Sequence, residues 1–173
     1  MPVRACAGFT LVEMLTTVAA LIILMGLAVS LAREVRRRSA EEVTRDVLAV
    51  LDQLMAQYQL RYGQLPPVPA FIPDGQPPTD RDILLAAAGK NNQQVLMYLQ
   101  RAGGFNAELF GKLPRSMYDD VSLRDAWGSP VVFMPNMHAA IGMAQDNQPF
   151  FFSAGPDRNY LTREDNVYSY EGR

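Results

Sequence analysis

Glu13 is the residue whose position carries the most chemical weight. It stands in Gly8-Phe9-Thr10-Leu11-Val12-Glu13, directly ahead of an apolar run from Met14 to Ala32 that contains no charged side chain. A carboxylate at such a place is costly in hydrocarbon, so it predicts a functional ion pair with a nameable partner. The other candidates are weaker. His138 is the single histidine and has no serine or cysteine partner in a recognisable arrangement. Asp119-Asp120 places two acids in a polar segment, where solvation is the ordinary outcome. Gly103-Gly104 lacks the flanking strand and lysine of a phosphate-cradling loop. Cys6 is the only cysteine and precedes the apolar run, so no disulfide within the chain is possible. These residues predict that the protein is not an enzyme.

The elements that must position Glu13 follow from the pattern around it. The chain of 173 residues has room for an anchor and one small domain. Its formal charge of −2 argues against a general nucleic-acid surface. About 20 apolar residues cross a bilayer core, and Met14 to Ala32 is close to that length. A conventional signal peptide is the alternative, because Ser30-Leu31-Ala32 offers a small-x-small site. That reading puts Glu13 in the charged leader and cuts a helical pattern that continues. Val43, Val47, Val50, Leu51, Leu54, Met55, Tyr58 and Tyr62 recur at helical spacing and define one apolar face. Gly63 and Pro66-Pro67 end the pattern. One helix from Phe9 to Tyr62 would be roughly 80 Å long; two helices broken near Gly26 or Ser30 are the alternative. Arg33, Arg36, Arg37 and Arg38 follow the span and only Arg4 precedes it, which by itself would hold the C-terminal domain in the cytoplasm.

Beyond the helix, Pro66 to Thr79 reads as an exposed proline-rich loop. Asp80 to Ala88 and Gln93 to Ala102 read as two short helices, and Phe105 to Ser122 as helix or loop. Asp125-Ala126-Trp127-Gly128-Ser129-Pro130 has turn residues around a tryptophan expected to anchor the core. Val131 to Met134, the segment near Met137 to Met143, Phe150 to Phe152 and Val167 to Tyr170 are β-prone. The predicted fold class is α+β: a long N-terminal helix covering one face of a small antiparallel sheet.

Gly8-Phe9-Thr10-Leu11-Val12-Glu13 ahead of a long apolar stretch resembles the prepilin-type cleavage and methylation signature of type IV pilins and type II secretion pseudopilins. The resemblance implies that a prepilin peptidase cuts after Gly8 and methylates Phe9 to N-methylphenylalanine, and that Glu13 is the assembly glutamate. It divides the chain into a leader (1–8), a transmembrane assembly helix (9–32), a continuation packed on the domain (33–62) and a periplasmic domain (63–173). It also implies a single pass through the bacterial inner membrane with the leader in the cytoplasm, the reverse of the arginine distribution, and the motif takes precedence here. Tyr58 to Pro66 looks like the family's tyrosine-bearing helix end. Asp125-x-Trp127-Gly128-x-Pro130 and Phe150 to Asp157 resemble the major pseudopilin of type II secretion. The implied partners are copies of itself in a helical filament, other pseudopilins and the inner-membrane assembly platform. A type IV or competence pilus minor pilin, and a membrane-anchored module that never polymerises, are the other readings. Many members have a proline where this chain has Ser30, which leaves the major or minor rank open.

Major pseudopilins carry calcium in the loop before their last strand. The corresponding loop, Ser153 to Asn166, holds Asp157, Glu164 and Asp165, and the resemblance implies that these acids clamp an ion. Arg158 and Arg163 interrupt the pattern, and a solvated turn with the acids paired to those arginines is the alternative.

Overall fold

Thr10 starts the first helix. Its Oγ1 accepts the Glu13 backbone N–H at 3.2 Å, one half of a Thr-x-x-Glu cap. The computed structural model describes residues 10–72, 80–103, 105–142 and 144–172. Helix α1 runs unbroken over Leu11–Tyr62, so neither Gly26 nor Ser30 interrupts it. It stops at Gly63, whose φ of 69° suits a glycine in the left-handed region and whose N–H reaches the Gln59 carbonyl at 2.8 Å.

The chain divides into two units between Arg38 and Ser39. In the first, α1 is exposed and carries no charged side chain from Met14 to Ala32. In the second, α1 buries Thr44, Val47, Leu48, Leu51, Leu54, Met55 and Tyr58, spacings of three and four that keep one face inward. The face is turned slightly from the expected one. Thr44 and Leu48 are inside, whereas Val43 and Tyr62 are partly in solvent. Thr44 can be buried because its hydroxyl donates to the Ala40 carbonyl at 2.8 Å and accepts the Ala126 N–H at 3.3 Å.

Asp80 caps helix α2, accepting the Asp82 N–H at 2.9 Å. The two short helices expected here are one, Arg81–Arg101. Gly89 and the Asn91-Asn92 pair suggested a break, because each is a poor helix former. The asparagines are instead held by long-range hydrogen bonds described below. A short helix α3 follows at Phe105–Phe110, settling the start of the helix-or-loop segment as helix.

Three strands, β1 (Val132–Met134), β2 (Phe150–Ser153) and β3 (Val167–Tyr168), form an antiparallel meander in the order β1-β2-β3. The register pairs Val132 with Phe152 and Phe152 with Tyr168 on one face, and Phe133 with Phe151 on the other. Both faces are covered, not one. Phe133, Phe151 and Val167 pack with Leu48, Leu51, Leu54 and Leu96. Phe150, Phe152 and Tyr168 pack under Phe71, Leu84, Ile141 and Tyr160. That second cover explains why Phe150 to Phe152 is an uninterrupted aromatic run rather than an alternating one. The segment near Met137 to Met143 joins no sheet; among its described residues it makes one isolated bridge, His138 to Gly142. The α+β layout therefore holds, with three strands in place of four.

Candidate assembly helix and its supporting domain

Glu13 sits in the first turn of α1 and is exposed. The structure places it where the apolar run begins, with its backbone N–H tied to Thr10. Gly8 and Phe9, the other two residues of the predicted signal, lie outside the described residues. Beyond Glu13, Leu15, Leu21, Ile22, Leu24, Met25, Leu27 and Leu31 are each more than half exposed. The two hydroxyls near the start do not interrupt this surface. Thr16 donates to the Glu13 carbonyl at 3.0 Å and Thr17 to the Met14 carbonyl at 2.9 Å, so neither presents an unsatisfied donor. The richest window of α1 has a mean hydropathy of 2.4 and none of it is buried. Such a helix is long and apolar enough to cross a membrane.

The second part of the candidate site is the turn that carries Trp127. Trp127 is only partly buried and packs at the edge of the core, a lesser role than the expected anchor. The buried residue is Asp125. One of its carboxylate oxygens accepts the Trp127 and Ser129 N–H groups at 3.0 and 2.8 Å, and the other accepts the Ser153 hydroxyl at 2.6 Å. Ser153 Oγ in turn accepts the Gly155 N–H at 3.0 Å. Burial pushes the Asp125 carboxyl above its ordinary range, opposed by the hydrogen bonds from Ser153 and the turn. Tyr160 closes the same region by donating to the Pro130 carbonyl at 2.7 Å, and burial raises its phenol as well. The Asp-x-Trp-Gly-x-Pro string is thus a clip that fixes the turn before β1 to the end of β2.

Two further residues escaped the sequence reading. Asn91 accepts the Phe133 N–H at 2.8 Å and donates to the Phe133 carbonyl at 3.1 Å. Asn92 treats Leu123 in the same way, at 2.9 and 3.0 Å, and also donates to the Val131 carbonyl. A side-chain amide on α2 therefore does for the outer side of β1 what another strand would do. An edge strand blocked in this way cannot accept a strand from another chain. The signal was visible only as tandem asparagines between apolar positions of a helix.

The loop from Ser153 to Asn166 is built from local turns. Asp157 accepts the Asn159 N–H at 2.8 Å, and Asn166 donates to the Tyr160 carbonyl at 3.0 Å. Gly155, at φ 66°, lies so close to the Asp165 carbonyl oxygen that a Cβ would sit 1.8 Å from it. Asp157, Glu164 and Asp165 are all exposed. Among the described residues no three acidic, histidine or cysteine side chains form a group that could hold a metal ion. The loop acids do not pair with the neighbouring arginines; Arg163 donates to the Ala139 carbonyl at 3.3 Å instead.

The remaining candidates are structural turns. Asp119 accepts the Ser122 and Val121 N–H groups, at 2.7 and 3.1 Å, and those bonds hold its carboxyl below the ordinary range. His138 turns its Nδ1 to the Ala140 N–H at 3.2 Å. An open groove of about 550 Å³ beside α1 is lined by Asp52, Met55, Gln59, Phe133, Gln148 and Phe151, among others.

Set beside family models, curated proteins and solved structures, the chain matches none of them. What the geometry offers is an exposed apolar helix bearing one acid at its start, and a domain whose buried Asp125, Asn91 and Asn92 hold its own turns and edge strand.

Proposed function

We propose that the protein is a structural subunit of a type II secretion pseudopilus. A prepilin peptidase removes residues 1–8 and methylates Phe9. The subunit waits in the inner membrane as a single-pass protein with its domain in the periplasm. It then joins other copies and other pseudopilins on the assembly platform, and the growing fibre pushes secreted protein outward. The observation that supports this reading best is the order of features along the chain: the Gly8-to-Glu13 sequence, then, on one unbroken helix from Leu11 to Tyr62, an exposed apolar run and an amphipathic stretch that forms part of a domain core.

In this reading Glu13 pairs with the N-terminal amine of a neighbouring Phe9. Left alone in hydrocarbon, the carboxylate is destabilising; paired, it sets the axial register between subunits. Removing one member of a buried ion pair typically costs about 3–5 kcal/mol. Glu13→Ala should therefore leave the domain folded and the leader cleaved while filaments disappear, measured by shearing and electron microscopy of cells that overproduce the subunit. Wild-type filaments from that variant would refute the role.

A further inference from the structure

The apolar run of α1 ends at Ala32, and the next six residues hold four arginines and one glutamate, a net of three positive charges. Glu34 is engaged twice. It accepts from Arg37 at 3.1 Å and from Arg38 at 2.7 Å. Two guanidinium groups thus share the only carboxylate on this stretch. Arg33 and Arg36 form no hydrogen bond or ion pair with any described residue, and both are exposed. Three apart on a helix, they lie on one face. At 1.5 Å of rise per residue they stand within about 6 Å, along the axis, of the last apolar residue. The polar headgroup layer is about 5–8 Å deep on each side of the hydrocarbon core. The two arginines therefore fall at the depth of the lipid phosphates, whichever leaflet they face.

We infer that Arg33 and Arg36 form a collar that binds the phosphate groups of anionic phospholipids where the span leaves the membrane. Guanidinium suits this task because its forked N–H groups grip phosphate oxygens in pairs and its charge is permanent. A lipid is favoured over acids of a second copy because the collar is continuous with a helix surface exposed on all sides. The inference rests on the membrane-spanning part of the reading above.

The test reconstitutes the full chain into vesicles of phosphatidylcholine mixed with phosphatidylglycerol and counts, by native mass spectrometry, the lipids it retains. The wild type should retain phosphatidylglycerol preferentially. Arg33→Gln with Arg36→Gln should lose about fivefold of that preference for each arginine removed at low salt, and Arg33→Lys with Arg36→Lys should keep most of it. Equal retention of both lipids by inserted wild-type protein would overturn the collar and leave the span standing. Failure to insert into either bilayer would overturn both. A double Gln variant with unchanged lipid preference but weakened self-association would assign the arginines to a second copy and overturn the lipid.

Discussion

Leu21 and Leu48 lie on the same helix and meet opposite surroundings. Leu21 is 59% exposed and Leu48 is 0% exposed. Up to Arg38 the helix is apolar on every side of its first turns and touches no core; from Ser39 it buries one face and shows charge on the other. Helices that are apolar all round are stable only where lipid or protein surrounds them, whereas a one-sided face suits a domain in water. One element therefore carries a stretch suited to an apolar surrounding and a stretch suited to water, and the change falls within a few residues of the arginines after Ala32. The two stretches should respond to substitution in different ways.

The largest expected difference compares Phe151→Ala with Leu21→Ala in the full chain in detergent, followed by the fluorescence of the lone Trp127. Phe151, on β2, is buried in the core that α1 helps to form, and its loss should destabilise the domain by about 3–5 kcal/mol. Leu21→Ala should change domain unfolding by less than about 0.5 kcal/mol. Equal effects would break the division between the two stretches.

Asn92→Leu should come next, at about 2–3 kcal/mol, because it keeps a similar volume but leaves the Leu123 N–H and the Val131 carbonyl buried without partners, while the Leu123 carbonyl keeps the Val131 N–H. Chemical denaturation measures it. A neutral result would mean that water or a backbone shift replaces the amide.

The smallest effect is a slope. Burial raises the Asp125 carboxyl above its unfolded value. The folded domain then holds the proton more tightly than the unfolded chain. Its contribution to stability is full below the ordinary aspartate range and is lost as pH rises through the raised value. The difference in stability between wild type and Asp125→Asn should therefore shift against the wild type as pH climbs through that window. A difference independent of pH would remove the raised carboxyl from the account.

The helix ends were legible because their causes are local: Gly63 at a left-handed turn, Asp80 bonded two residues ahead. The exposed apolar stretch was legible because hydropathy needs no partner. Asn91 and Asn92 were not, since their partners lie 31 to 42 residues away in sequence. Their poor helix propensity pointed to a break that tertiary bonds override. Trp127 drew attention by its size, yet the neighbouring Asp125 holds the turn, a role set by burial that one sequence does not display. The sheet's second cover was missed for the same reason, because Phe71, Leu84 and Tyr160 come from three separate segments. At the helix start, Glu13 lies in the first turn of α1, while Gly8 and Phe9 lie outside the described residues.

The central claim is that this helix is an assembly helix released by cleavage after Gly8. The most direct test is the intact mass and N-terminal sequence of the protein recovered from native membranes. The account predicts a chain that begins at N-methylated Phe9 and retains Glu13 and the whole apolar run. A chain beginning at Arg33 would contradict it, because the apolar run would then be a discarded signal peptide; a chain still beginning at Met1 in cells with an active prepilin peptidase would contradict it equally.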